Sequence, residues 1–232
     1  MKPIEVSTSA RIRALRGNEY FNDLPEPLLR EIAAHMKLCE VQRGDVLFWE
    51  GDPCTGLHIV EQGSAKIYRL SPQGRQYIVR VLQEGDTFAE VPAFDGGLHP
   101  VNVEALENSR VWVIESDLLR RLVEAHPRFA QKVLANFGQM LRGMVHKVSE
   151  MAFYQVTHRL ARLINELPQE DAQGRATPPL TQEQLAARLG TVREVVARSL
   201  RELERSGAIR IEDRRIYVAA STAMEQWTHP YN

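Results

Sequence analysis

The sequence has few cysteines, no long apolar run and almost no net charge, and each shortage excludes a class of protein. Its 232 residues contain two cysteines, Cys39 and Cys54, which cannot form a disulfide framework and lack the CxxC or Cys/His spacing of a zinc site. There is no run of about 18 apolar residues that would span a membrane, and the start, MKPIEVSTSARIRALRG, lacks the apolar segment of a signal peptide. A net charge of −1 excludes nucleic-acid binding through bulk basicity. We therefore expect a cytoplasmic protein with reduced thiols.

The common signatures of enzymes are also missing. The sequence has no P-loop, no Rossmann glycine pattern, no GxSxG and no HExxH. Carboxylates are numerous, but no spacing pairs them for acid–base work. We therefore expect no enzymatic activity.

Short strand-like runs fill the chain from Val41 to Ile114. Separated by glycine-containing turns, they are VLFWE, LHIVEQ, SAKIYRL, QYIVRVL, VNVEAL and RVWVIE. Strands at this spacing predict a closed antiparallel roll or jelly roll, and the recurring turns RGD and EGD predict similar corners within it. The preceding residues 1–40 carry a helical pattern. Its apolar stripe consists of Leu28, Leu29, Ile32, Ala33 and Met36.

A long helix is predicted from Pro127 to Tyr154, with proline in the first turn, where it is tolerated. Six apolar residues recur at alternating spacings of three and four: Leu134, Phe137, Leu141, Met144, Val148 and Met151. This is the seam of a two-stranded coiled coil, and it predicts a homodimer. The alternative is a helix that packs only on its own roll, but so long a helix would overrun a small roll.

The segment from Leu180 to Val218 has the pattern of a winged helix-turn-helix. It follows a helix over 156–167 and a polar loop over 168–179. Thr181 with Gln184 forms a capping-box pattern, Gly190 supplies the turn, and Thr191 with Glu194 forms a second capping-box pattern. Gly207 ends the second helix, and IRIEDRRIYV predicts the two strands of a wing.

The second helix presents a candidate surface for reading DNA. Its outward side is predicted to carry Arg193, Glu194, Ala197, Arg198 and Arg201, with Thr191 at the turn before them. Arginine suits the paired acceptors of guanine, a carboxylate accepts from the cytosine amine, and a small alanine permits close approach. Seven arginines against five acids over 191–218 give a slight excess of positive charge, which a dimer doubles.

Two simpler roles for these charges are open at this point. Glu194 would then only cap its helix. The other charges would be part of a solvated charged face, formed by Arg198 with Glu202 or by Arg201 with Arg205 and Glu204. The turn, the glycine, the wing and the arginine placement together favour DNA binding.

At these residues the chain resembles the family of the cyclic-AMP receptor protein and the fumarate–nitrate reduction regulator (CRP/FNR), over nearly its whole length. The similar stretches are RGDVLFWEGDP, GSAKIYRLSPQGR, EGDTFAEVPAFDGG, AFYQVTHRLARL and TVREVVARSLRELERSGAI. The resemblance implies an α+β fold: an N-terminal antiparallel β-roll sensor over residues 1–126, a dimerisation helix and hinge over 127–156, and a C-terminal winged helix-turn-helix over 157–232. It implies a transcription regulator controlled by a signal sensed in the roll, with double-stranded DNA and RNA polymerase as partners.

The resemblance also implies which residues read bases. The family's base-reading positions fall on Arg193, Glu194 and Arg198, and the Arg-Glu-x-x-x-Arg form resembles the cyclic-AMP receptor branch. That branch reads TGTGA-type half-sites, so we expect a palindrome with TGTGA-like halves.

The sensor departs from the family's cyclic-AMP pocket. Glu90 is present, but the glycine before it is Ala89, the arginine position is His99 and the serine position is Pro100, which has neither an N–H nor a hydroxyl. Burying a phosphate without a cation and N–H donors is costly. These departures argue against cyclic AMP as the effector, and His99 is interpreted as an ordinary surface or roll residue.

The dimer helix departs in the same way, because Met144 and Val145 replace the adenine-contacting Thr-Ser pair. Glu90, His99, Met144 and Val145 are therefore the candidate effector-pocket residues, and the two apolar ones suit a hydrophobic ligand or a filled core. The small-molecule effector itself stays unidentified.

The cysteine and histidine content bears on two other cofactors, an iron–sulfur cluster and haem. An iron–sulfur cluster needs about four thiolates, which two cysteines do not supply. Cys39 is interpreted as packed and Cys54 as an inert turn residue. Haem is an open alternative, since a haem-dependent branch has a similar texture, but no spacing selects an axial ligand among the histidines at 35, 58, 99, 126, 146 and 158. A cyclic-nucleotide-binding regulatory protein without DNA function would leave the helix-turn-helix segment unexplained.

Overall fold

The computed structural model describes residues 1–167, 180–212, 215–219 and 221–228. The helices are, in chain order, α1 (Thr8–Gly17), α2 (Glu26–Ala34), α3 (Glu90–Asp95), α4 (Ser116–Ala125), α5 (Pro127–Phe153), α6 (Val156–Glu166), α7 (Gln182–Leu189), α8 (Arg193–Arg205) and α9 (Ser221–Thr228). The strands are β1 (Lys2–Ile4), β2 (Met36–Val41), β3 (Val46–Phe48), β4 (Gly56–Gln62), β5 (Ala65–Leu70), β6 (Gln76–Leu82), β7 (Thr87–Phe88), β8 (Asn102–Ala105), β9 (Ser109–Glu115), β10 (Ile209–Glu212) and β11 (Arg215–Val218). The predicted loop over 168–179 lies outside the described residues.

These elements form two compact units. The first comprises Met1–Arg69 and Val79–Leu141, and the second comprises Leu70–Ile78 and Arg142–Asn232. Among the described residues, no helix is both long enough and apolar enough to cross a membrane. The predicted domain boundaries at residues 126 and 156 stay a prediction.

The strands of the N-terminal half form two antiparallel sheets, which confirms the predicted roll. One sheet has the order β1-β2-β9-β4-β7 and the other the order β3-β8-β5-β6. In the first sheet β9 is paired on both sides, so that Trp112 lies opposite Leu38 on β2 and opposite Ile59 on β4. The six predicted strand runs all contain strands, and the short β7 is an addition.

One corner geometry repeats at the RGD and EGD turns. Gly44, Gly51 and Gly85 have φ angles of 86°, 91° and 88°, a left-handed conformation that favours glycine. The aspartate after each glycine accepts a hydrogen bond from the backbone N–H three residues before it, at 3.0, 2.8 and 2.8 Å. The expectation of similar corners is confirmed.

The helical pattern predicted for residues 1–40 is wrong at both ends. Residues Lys2–Ile4 and Met36–Val41 are strands that pair with each other, with Pro3 opposite Cys39. Helix α2 stops at Ala34, and Met36 continues the apolar stripe only by coincidence, because it begins a strand that β9 pairs along its whole length. Tertiary pairing overrides the local helical period here.

The first unit has one core between the helices and the five-stranded sheet and a second inside the roll. The first core includes Leu29 and Ile32 of α2, Trp112 and Ile114 of β9, and Phe129 of α5, all nearly inaccessible to solvent. The predicted stripe on α2 is buried in this core. The smaller core packs Phe48, Val60, Leu82, Phe88 and Val103 between the two sheets.

Helix α5 buries one face and exposes another. Phe129, Val133 and Asn136 are buried against the first unit, and Phe137 packs partly on the same core. The other predicted seam residues are exposed in the single chain: Leu134 (69%), Leu141 (63%), Met144 (55%), Val148 (66%) and Met151 (46%). Packing on the chain's own roll and pairing with a second copy are therefore compatible, because they involve different faces of α5.

The second unit contains a three-helix core with a two-stranded wing. Leu160, Leu185, Val196, Leu200 and Leu203 are buried together between α6, α7 and α8. The wing strands β10 and β11 pair antiparallel, with Arg210 opposite Tyr217, and the turn at 213–214 lies outside the described residues. The predicted winged helix-turn-helix is confirmed.

The first predicted capping box is confirmed and the second is wrong. Thr181 and Gln184 exchange side-chain and backbone hydrogen bonds at the start of α7. Helix α8 instead begins one residue after the expected position: Val192 is its N-cap, without a side-chain cap bond. The N–H of Thr191 bonds the carbonyl of Ala186, so this residue ends the turn rather than starting the helix.

Replacement of Gly190 by alanine is expected to destabilise the second unit by about 1–2 kcal/mol. Gly190 has a φ of 65°, and an added Cβ would lie 3.3 Å from a ring carbon of Tyr77. Urea unfolding followed by circular dichroism measures the change. The matched control is Gly143→Ala on α5, where an added Cβ meets no atom within 4 Å among the described residues. That variant should gain up to about 1 kcal/mol, and equal losses in both variants would contradict the strain at Gly190.

Candidate nucleic-acid interface

Helix α8 turns an apolar stripe inward and an arginine-rich face outward. Val196, Leu200 and Leu203 are buried in the core of the second unit. The predicted contact residues lie on the opposite side: Arg193, Glu194, Arg198 and Arg201 are exposed, and Thr191 and Ala197 are half-buried. The structure thus brings all six together on one solvent-facing surface.

Glu183 of α7 contacts the first arginine of this surface. Its Oε1 lies 3.3 Å from Nε of Arg193, and both side chains are largely exposed. This ion pair is made at Nε, so the two terminal nitrogens of the guanidinium remain to donate to the paired acceptors of guanine. Glu183 carried no signal in the sequence beyond its place inside the TQEQ capping box.

The contacts of two acidic residues of α8, Glu194 and Glu202, bear on the alternatives left open by the sequence. Glu194 lies in the first turn, where its charge favours the helix dipole, but it makes no capping bond. Glu202 accepts a hydrogen bond from the Thr157 hydroxyl at 3.0 Å, and that hydroxyl also contacts Ser199 at 3.0 Å. The carboxylate of Glu202 is therefore engaged towards α6.

A cavity of about 460 Å³ lies between the start of α7, α8 and the wing. Its walls include Glu183, Arg193, Leu200, Ile211 and Ile216. In the wing, Nε of Arg210 lies 2.9 Å from Glu212, and its guanidinium lies 5.8 Å from the Tyr217 ring. The recognition face and the wing thus border one concave surface.

The candidate effector residues are divided between the two units, and each is described separately. Glu90 and His99 belong to the first unit, whereas Met144 and Val145 belong to the second, where they are 55% and 58% exposed. Their joint role as a pocket stays a prediction.

His99 is part of an aromatic layer inside the roll. Its ring stacks on Phe48 with centroids 3.5 Å apart and planes at 9°, and only 3% of the residue is exposed. His58 of β4 stacks on Phe88 at 4.9 Å and is 1% exposed. His99 is therefore a roll residue, not a surface residue. His58 was not singled out in the sequence, because its stacking partner lies 30 positions away.

Burial keeps both imidazoles neutral. Burial and, less strongly, the neighbouring His99 lower the pKa of His58 to about 3, against the opposing effect of the Gly56 backbone. Burial also lowers the pKa of His99, against the opposing charge of Asp52. Within the described residues, Nδ1 of His99 has no hydrogen-bond partner. A neutral imidazole beside Pro100 does not fit a cyclic phosphate, which requires a cation and N–H donors.

Glu90 is retained in an unusual backbone setting. Ala89 before it has a φ of 64°, in the left-handed region where the family has glycine. Burial raises the pKa of the Glu90 carboxyl, while a hydrogen bond to its own backbone and one from Thr87 lower it. The position is thus built for a buried, partnered carboxyl group rather than for an exposed anion.

The remaining cysteine and histidine candidates do not form a metal site. Among the described residues there is no cluster of three or more potential ligands. Cys39 is buried, as predicted, and the half-buried Cys54 donates to the Gly56 carbonyl at 3.4 Å. The histidine contacts do not select an axial ligand, so haem stays an untested alternative.

These features define the class of protein: a chain with a β-roll, a long connecting helix and a winged helix-turn-helix. A family model described as a cyclic nucleotide-binding domain matches residues 38–126, and one described as a Crp-like helix-turn-helix domain matches residues 158–227. The chain belongs to the CRP/FNR family of transcription regulators.

Named relatives agree with this assignment. The CRP-like cAMP-activated global transcriptional regulator of Mycobacterium tuberculosis is 26% identical over 206 residues, covering 87% of this chain and 92% of that protein. The fumarate and nitrate reduction regulatory protein of Escherichia coli is 26% identical over 191 residues, covering 80% and 76%. A Crp/Fnr-family regulator from Eubacterium rectale has the same fold, with a TM-score of 0.77, 20% identity and coverage of 92% and 99%. These relatives are transcription regulators and not enzymes.

Proposed function

We propose that the protein is a homodimeric, sequence-specific regulator that binds a palindrome with TGTGA-like half-sites under the control of a signal sensed by the roll. The observation that carries this proposal is the exposed face of α8, where Arg193, Glu194 and Arg198 lie together in the first two turns. The N-terminal turns of a recognition helix are the part that meets base edges in the major groove.

Each residue has a chemical role on such a half-site. Arg193 and Arg198 donate to the O6 and N7 acceptors of guanine, and Glu194 accepts from the cytosine amine. Ala197 lies between them and is small enough for the helix backbone to approach the bases. Thr191 and Arg201 flank this set and contact phosphates, which position the helix without reading sequence.

The exposed seam on α5 supports the proposed dimer. Contiguous apolar side chains at solvent-facing positions mark an interaction surface. The heptad-like spacing of Leu134, Leu141 and Val148 fits a second copy of the same helix. Two copies place two recognition helices on successive major grooves, which is the arrangement that a palindrome requires.

The roll is the sensor in this proposal, with residues 1–126 as its domain, 127–156 as helix and hinge, and 157–232 as the DNA-binding domain. Its effector is a small molecule other than cyclic AMP, because the neutral His99 and Pro100 do not fit a cyclic phosphate. RNA polymerase is the expected protein partner of a regulator of this family. Met144 and Val145 keep their proposed place at the effector pocket.

Replacing Arg193 or Arg198 by alanine is expected to weaken binding to a TGTGA-n6-TCACA duplex by about 5- to 150-fold each, the equivalent of about 1–3 kcal/mol. Binding to unrelated DNA should change little, because base contacts and not phosphate contacts are lost. Fluorescence anisotropy over a salt titration measures both affinities.

The matched control is Arg205→Ala at the far end of the same helix. Arg205 is exposed but remote from the first turns, so its loss should weaken both affinities equally. If the Arg193 and Arg198 variants kept the wild-type ratio of specific to unrelated binding, the assigned base contacts would be refuted.

A further inference from the structure

The connection between α5 and α6 is very short. Helix α5 ends at Phe153 and α6 begins at Val156, so only Tyr154 and Gln155 lie between them. Gln155 is the N-cap of α6 but makes no side-chain capping bond. The angle between α6 and the last turns of α5 therefore depends on the backbone dihedrals of these two residues, unless side-chain contacts fix that angle.

Arg162 of α6 makes two contacts at this connection and a third with α9. Its Nη1 donates to Oε1 of Glu150 on α5 at 2.7 Å, and its guanidinium lies 3.9 Å from the centre of the Tyr154 ring. Its Nε donates to the backbone carbonyl of Thr228 on α9 at 2.9 Å. One planar group thus binds the end of α5, the connection and the last helix of the winged domain.

The contacts of Arg162 are partly buried, and we therefore expect them to be stronger than those of exposed surface ion pairs. The side chains of Arg162 and Glu150 are only 20% and 27% exposed. Partly buried, charge-assisted bonds are screened less by water and salt than exposed pairs are. Arginine suits the position, since its rigid fork can donate in two directions while its face stacks on an aromatic ring.

The anchor on α9 is itself fixed. Trp227, next to Thr228, donates from its indole nitrogen to the Ser206 hydroxyl at 2.9 Å, at the end of α8. Its ring lies 5.2 Å from that of His158 on α6. Thr228 is 7% exposed. The contacts of Arg162 therefore connect α5 to a helix that packs against α6 and α8.

We propose that Arg162 is a positioning residue that fixes the winged domain against the end of α5 and thereby sets the spacing between the two DNA half-sites. This inference rests on the proposed homodimer and palindrome. Adding one base pair between half-sites turns one half-site about 34–36° around the duplex axis and moves it by about 3.4 Å. A dimer whose winged domains are held at one angle rejects that change, whereas a dimer with free connections tolerates it.

The test compares spacer preference in Arg162→Lys and Glu150→Gln with that of the wild type. The full-length proteins are titrated with TGTGA-n5-TCACA, the n6 and n7 duplexes, and a duplex with a single half-site. Lysine keeps the charge but cannot stack and donate in two directions at once, and glutamine keeps the shape of Glu150 without its charge. Both variants should bind the single half-site as the wild type does. The ratio of their affinity for the best-spaced duplex to their affinity for the other two should fall by about fivefold or more.

The matched control is Glu166→Gln, an exposed carboxylate on the same helix as Arg162, which should leave the spacer preference unchanged. A wild-type preference in both variants would overturn the inference, as would a wild type that binds all spacers equally. If Arg162→Lys also lost half-site binding, the substitution would have damaged the winged domain. The inference is then tested by Glu150→Gln alone, because Glu150 lies on α5 outside that domain. A wild-type spacer preference in this variant would overturn the inference.

Failure of the proposed half-site is distinguishable from failure of this inference. If the wild type binds none of these duplexes, the TGTGA assignment is wrong. The same spacer series is then built on half-sites selected from random DNA, and the two variants are compared on those.

Discussion

Leu141→Glu is expected to convert the protein into a monomer that no longer binds palindromic DNA. In the single chain Leu141 is 63% exposed, in the middle of a seam that continues to Leu134 and Val148. Two-fold symmetry places the new carboxylate in the interface twice, where it is desolvated without a partner. Loss of the second binding site should weaken palindrome binding by about 100-fold or more, while binding to a single half-site stays near the wild-type value.

Sedimentation velocity measures the oligomeric state, and anisotropy with both duplexes measures binding. Gln139→Glu is the matched control, because it adds the same charge to the same helix at an exposed position outside the seam. A Leu141→Glu protein that remained a dimer would show that the copies associate through another surface. A monomer that kept full affinity for the palindrome would show that dimerisation is not needed for binding.

The roll is expected to lose stability on mild acidification, through His58. Its pKa is about 3 in the folded protein against a usual value near 6.5, so between these values the unfolded chain binds the proton and the folded chain does not. The stabilisation is complete above about pH 6.5 and is lost as the pH falls towards 3. For His58 alone the loss between pH 7 and pH 5 is about 2 kcal/mol.

Two other buried titratable residues of the roll, His99 and Glu90, also affect how its stability depends on pH. His99 acts in the same direction, because burial also lowers its pKa, while the nearby Asp52 opposes that shift. The buried Glu90 acts in the opposite direction, since its raised pKa makes protonation favourable in the folded state. The net acid sensitivity is therefore smaller than the sum of the two histidine effects.

His58→Phe isolates the contribution of that residue. Phenylalanine can keep the stacking on Phe48 and Phe88 without a titrating nitrogen. Urea unfolding at pH 7 and pH 5 should show a smaller difference for this variant, by about 2 kcal/mol. His126→Phe, at an exposed position after α4, is the control and should keep the wild-type difference. An unchanged pH dependence in His58→Phe would mean that the folded roll does not lower the pKa of His58.

The local elements of the winged domain could be predicted because their signals are short-range. The Thr181–Gln184 capping box, the left-handed Gly190 and the spacing of Val196, Leu200 and Leu203 each depend on neighbours within four residues or so. The same is true of the glycine corners of the roll, where the aspartate bonds a backbone group three positions away.

What failed or was missed depends on contacts distant in sequence. Strand β2 forms because β9, more than 70 residues later, pairs with it, and the helical period of residues 28–36 contains no sign of this. The same holds for the contacts of Arg162, whose partners lie 12 positions before it and 66 after it. The second capping box failed for a local reason, because the N–H of Thr191 is used in the turn bond to the Ala186 carbonyl. The helix therefore begins at Arg193, and its N-cap is Val192, whose side chain has no oxygen to accept a capping bond.

The three tryptophans make the two units optically distinguishable. Trp112 is 1% exposed inside the roll and donates to the Glu61 carboxylate, whereas Trp49 is 50% exposed. Trp227 lies against His158, whose pKa burial lowers, so protonation of that imidazole on acidification will quench the neighbouring indole. In a variant whose Trp49 and Trp112 are replaced, Trp227 is the remaining tryptophan. Its fluorescence emission would therefore report, without an attached dye, whether α6 and α9 stay in contact while DNA binds.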